Sequence, residues 1–150
     1  MHRDKLELTQ EDGYRALQGH IVDKAELARQ RYGPLVDAQA LRRILLDRDI
    51  VRHPTELVFD GATLRKGEFA HAQMVEGSSP RSFQLLLHEY FRDREADWPL
   101  LAAYHIPSIN YLDLVTNEEA ELFGATLLGL EVEAYYARVC ALADELDAAR

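Results

Sequence analysis

The chain is short of the residues that staple or anchor unusual folds. It has one cysteine, Cys140, so no intramolecular disulfide can close and a zinc-thiolate cluster is excluded. Cys140 lies in an apolar helical stripe, where it reads as a small buried hydrophobe. No apolar run approaches the ~18 to 20 residues that a spanning helix needs. The opening Met1-His2-Arg3-Asp4-Lys5 lacks the apolar centre of a secretory signal. These absences lead us to expect a soluble, cytoplasmic chain with no membrane partner. Basic charge is also in deficit, because 17 Lys and Arg stand against 26 Asp and Glu and leave a net charge of −9. That field repels phosphate backbones and argues against a nucleic-acid partner. The short basic pairs Arg42-Arg43 and Arg65-Lys66 have no interleaved aromatics to reverse this expectation.

The rest is an ordinary globular composition, 47% hydrophobic and 29% charged over 150 residues. That length fits a single α+β domain over 1–150. Thr9 followed by Asp12 resembles a helix start, and Tyr14, Leu17, Ile21, Ala25, Ala28 and Tyr32 then recur at helical spacing up to Gly33-Pro34. Asp37 is placed to cap a second helix with Leu41, Ile44 and Leu45 inside, ending before His53-Pro54. The period then changes, and the segments 56–59, 67–76, 83–91 and 100–109 read as strands separated by turn residues. Helical spacing returns at Thr116, which has the capping-box separation from Glu119. Gly129 breaks that helix from a last one carrying Val132, Tyr135, Val139, Leu142 and Leu146. The expected fold is therefore α+β: a four-stranded antiparallel meander, with two N-terminal and two C-terminal helices packed mainly on one face.

His71, His88 and His105 are spaced evenly, seventeen residues apart, each in one of the expected strands. Symmetric hairpins would set the three imidazoles in a row on the uncovered face, with neighbouring Cβ atoms about 5 Å apart. Three neutral imidazoles are a known ligand set for zinc or another divalent transition metal, with a position left open for water. His88-Glu89 does not extend to the paired-histidine pattern of zinc proteases, since the fifth position is Arg92. The segment Tyr104 to Asp113 gathers aromatic, amide and acidic groups where the last strand would exit, so Tyr104, Asn110 and Asp113, with Tyr90, are candidate ligand-binding residues. Phe69, Leu86, Tyr90 and Leu101 would share the histidine face and make it a mixed polar and apolar surface. The function expected from this pattern is binding or interaction, with the chain forming a homo-oligomer or meeting a protein partner through that face. The alternative is a metal-dependent hydrolase or hydratase with the histidine row as its ligands.

Overall fold

The computed structural model describes residues 10–150, apart from the side chain of Asp113. The Thr9 cap expected for the first helix lies outside those residues. Helix α1 (Gln10–Tyr32) buries Ile21, Ala25 and Ala28, the stripe that the spacing marked. Helix α2 (Ala38–Leu46) is capped by Asp37, whose carboxylate accepts the Ala40 N–H at 2.8 Å. Helix α4 (Asn117–Leu128) opens with the expected capping box between Thr116 and Glu119. Glu119 is fully buried there, its Oε1 accepting the Thr116 N–H at 2.7 Å. Gly129 ends α4 in the left-handed region, at φ 70°, a conformation that costs glycine nothing. Helix α5 (Val132–Ala149) then buries Tyr135, Val139, Leu142 and Leu146. Gly124 lets α5 approach α4 closely, because a Cβ there would stand 2.1 Å from Tyr135 Cζ. Tyr135 thereby reaches past α4 and donates its hydroxyl to the Leu100 carbonyl at 2.6 Å.

The fourth expected strand is a helix. Segment 100–109 belongs to helix α3 (Trp98–Tyr111), of which ten residues are buried, including Leu101, Ala102, Ala103 and Ile106. A helix enclosed on all sides is apolar all round, so it has no polar stripe to reveal a 3.6-residue period. Pro99 sits in its first turn, where a missing N–H is harmless. Pro107, which in a strand would have to sit at a sheet edge, is accommodated inside the helix at the cost of one backbone hydrogen bond.

The four-stranded antiparallel meander is therefore replaced, among the described residues, by five α-helices and a three-stranded mixed sheet in the order β1-β3-β2. Strand β3 (Phe83–Leu87) is central. It pairs antiparallel with β2 (Ala70–Met74) and parallel with β1 (Thr55–Phe59). Its sequence of Phe, Gln and three Leu, nearly all buried, suits a strand flanked on both sides. The β2-β3 register places His71 opposite Leu86, two residues from the expected pairing with His88. A two-residue offset preserves facing, so Ala70 and Ala72 still share the helix-covered side with Leu85 and Leu87. On the other side a polar ladder runs across the strands, Gln73 Nε2 donating to Gln84 Oε1 at 3.1 Å and Gln84 Nε2 to Glu56 Oε1 at 3.3 Å. No helix of the described residues is long and apolar enough to cross a membrane.

Candidate functional site

The histidine row depended on the meander, and the three rings are dispersed with it. His71 is exposed on β2, beside an open hollow that it shares with Thr63, Arg65, Glu68 and Gln73. His88 lies just beyond β3, where its Nδ1 accepts the Tyr90 N–H at 3.1 Å and caps a short 3-10 turn. That ring is clamped against Gly61, where a Cβ would come within 2.4 Å of His88 Cδ2. His105 is on α3, edge-on to Phe69 at 5.4 Å between centroids. Burial lowers the His105 pKa to about 4, and the nearby His71 adds to the effect, so the ring is neutral at physiological pH. Among the described residues no group of three or more His, Cys, Asp or Glu side chains could hold a metal ion. The zinc ligand set of His71, His88 and His105 is not assembled, because one of its three strands is a helix.

The expected mixed sheet face is divided in the same way. Leu86 is 7% exposed on the central strand, while Leu101 is fully buried on α3. Phe69 packs on Tyr104 and His105, and Tyr90 leaves the sheet to donate its hydroxyl to Glu145 at 2.8 Å. Of the proposed ligand-binding residues, Tyr104 donates to Asn117 Oδ1 at 3.1 Å. Burial is the first cause raising its hydroxyl pKa, to about 12. The Asp113 side chain lies outside the described residues. Asn110 lies beside a cleft.

That cleft, about 230 Å³, is lined by His20 and Lys24 of α1, Arg48, Ile50 and Arg52 of the segment after α2, and Asn110 and Tyr111 at the end of α3. Its shape follows from a backbone staple. Asn110 is 7% exposed; its Oδ1 accepts the Arg52 N–H at 2.6 Å and its Nδ2 donates to the Ile50 carbonyl at 2.9 Å. One amide thus matches both polarities of an otherwise irregular strand and pins it against the helix end. The turn is closed from the other side by Ile50 N–H and Val51 N–H, both donating to the Asp47 carbonyl. On the opposite wall Lys24 Nζ donates to the Asp49 carbonyl, and the Tyr111 hydroxyl is hydrogen-bonded to His20 Nδ1. Helical spacing puts His20 and Lys24 one turn apart on the same side of α1.

The charges at this site have one sign. Among the described residues the lining holds Lys24, Arg48 and Arg52 and no carboxylate. Arg48 and Arg52 form no ion pair among the described residues, whereas Arg31, just behind them, is matched by Asp47 at 2.7 Å and Asp49 at 3.1 Å. The field reaches His53, whose pKa is lowered first by burial and then by Arg52, Arg81 and Arg48. Burial raises the Tyr111 hydroxyl pKa, so that group stays protonated. Cations, a neutral phenol and an imidazole converging on a preformed hollow can hold a small anion through charge-assisted hydrogen bonds. Among the described residues the lining contains no thiol, serine or carboxylate. Apart from Asn110, sequence reasoning missed these residues. The available signals were the His20 and Lys24 pair four apart and the Arg48 and Arg52 pair four apart, each of which also describes a solvated surface. Comparison with known proteins gives no further guide, since the chain matches no protein-family model, no curated protein and no solved structure.

Proposed function

We propose that this chain is a binding domain for a small anionic metabolite, a phosphate ester or polycarboxylate, held in the cleft between α1, the Arg48 to Arg52 segment and the end of α3. The observation that carries this reading is the concentration of Lys24, Arg48 and Arg52, free of carboxylates, in a chain of net charge −9. Acidic side chains are abundant elsewhere, so a shortage of acids does not explain the vacancy. Guanidinium forks suit the paired oxygens of phosphate or carboxylate, Lys24 adds a point charge, and the Asn110 staple makes the geometry independent of the ligand. A cytoplasmic setting accompanies the proposal, supported by the lone unpaired Cys140.

The test uses inorganic phosphate and citrate as probes, read by calorimetry and by thermal unfolding against sodium chloride of matched ionic strength. We expect saturable binding and a rise in melting temperature beyond the salt control. Arg48→Gln and Arg52→Gln should each weaken binding by about tenfold, the loss typical of one charge-assisted contact. If neither probe saturates, or if both variants bind as the wild type does, the proposal is overturned.

A further inference from the structure

A second recess, about 400 Å³, shares no lining residue with the first and has a different chemistry. Its walls include Leu35, Leu100, Leu128 and Leu130, with Arg29 and Arg138 as its cations and, among the described residues, no acidic lining residue. Arg29 is the unusual member. It is half-buried, its Nε is shielded from solvent without a hydrogen-bond partner, and no ion pair among the described residues neutralises it. Its guanidinium lies against Gly129, where a Cβ would stand 3.0 Å from Nη2. The carboxyl end of α4 offers this cation a partial negative charge, which explains its orientation but leaves the Nε donor unused. Arg138 is only loosely held, 3.7 Å from an Asp97 that Arg94 already engages at 2.9 Å. Leu35 is 80% exposed at the lip.

A half-buried cation among leucines, with its Nε shielded and unbonded, is completed by an anion with an apolar body. We infer that this groove binds an amphiphilic monocarboxylate, an aliphatic or aromatic acid, with the carboxylate on Arg29 and the apolar body along Leu35, Leu128 and Leu130. Charge complementarity selects the acid over a neutral lipid, and the apolar walls select it over the polar anions proposed for the first cleft. The two readings are independent, because the sites share no residue.

Decanoate is the probe, with decanol and acetate as comparators, and binding is measured by calorimetry on the full chain. Decanoate should bind saturably and at least about tenfold more tightly than either comparator. Arg29→Met, which keeps the apolar stem, should lose at least about tenfold in affinity, whereas Arg29→Lys should retain most of it. Leu35→Asp, at an exposed position that leaves the fold intact, should abolish binding by placing a like charge at the lip. Phosphate binding in the first cleft should be unchanged in all three variants. Decanol binding as tightly as decanoate, absence of decanoate binding, or indifference to Arg29→Met and Leu35→Asp would each overturn the inference.

Discussion

Two parts of this molecule treat their arginines in opposite ways. Where α5 passes the 3-10 turn after β3, Arg94 meets Asp97 through Nε at 3.0 Å, contacts the Glu145 carboxylate, and stacks over the rings of Tyr90 and Phe91. The same Glu145 accepts the Tyr90 hydroxyl, so cation, anion and phenol form one closed network. At the cleft, Lys24, Arg48 and Arg52 converge with no carboxylate among the described lining residues, and the Asn110 staple there is neutral. The difference teaches what each cluster is for. A chain with excess acid matches its cations where they hold elements together, and a set left unmatched around a hollow is available to something else.

The sharpest way to break this comparison is to remove the staple. Asn110→Ala would leave the Arg52 N–H and the Ile50 carbonyl without their partners in a largely buried setting. The expected cost is about 3 kcal/mol of unfolding free energy, measured by urea denaturation. Anion binding should fall with it, because Arg52 would no longer be held at the cleft wall. If stability fell while phosphate or citrate bound unchanged, the cleft would not be the anion site.

The network around Arg94 should respond less, and with a pH signature that the cleft lacks. Glu145 is held below its ordinary carboxylate pKa of 4.5, first by Arg94 and then by the Tyr90 hydroxyl. A depressed folded value means that the stabilisation is present above 4.5 and is lost as pH falls through the lower, folded value. Arg94→Gln should therefore lower the melting temperature by a few degrees at pH 7, and the gap to wild type should narrow as the pH is taken progressively below 4.5. A gap that stays constant over that range would mean that Arg94 acts by packing on Tyr90 and Phe91 rather than by charge.

How much of this arrangement is legible in the sequence follows from how local each feature is. The stripe of α1, the Asp37 cap, the box of Thr116 with Glu119 and the glycine stop at 129 are set by residues within one or two turns, and they appear where the sequence puts them. Helix α3 is not legible in that way, because the few polar side chains of Leu100 to Ile109 mark no stripe and a proline at 107 also fits a strand edge. The sheet order fails for a related reason. Chain order favours neighbours in sequence, yet β3 inserts between β1 and β2, a choice settled by burial of Leu85, Leu86 and Leu87 from both sides. Misreading α3 removed the third strand of the histidine row, so the error in one element carried directly into the site. The cleft is assembled from three separated segments, and of its polar lining only Asn110 and Tyr111 lay in a stretch dense enough to attract notice, Asn110 alone being singled out there. The other polar positions, considered singly, are ordinary exposed or half-exposed side chains.

The smallest expected effect is also the most discriminating, because its sign differs between the two regions. Arg52→Gln removes a cation that no carboxylate pairs with among the described residues, while leaving its backbone N–H free to keep the bond to Asn110. No attractive pair is lost, and mutual repulsion with Lys24 and Arg48 is relieved. Unfolding free energy in the absence of ligand should stay within about 0.5 kcal/mol of wild type, with any change towards greater stability at low salt and vanishing as salt screens the repulsion. Arg94→Gln under the same conditions should move the other way. Were Arg52→Gln instead to destabilise the ligand-free protein as Arg94→Gln does, Arg52 would have a structural partner of its own. The cluster would then belong with the matched arginines rather than with a binding site.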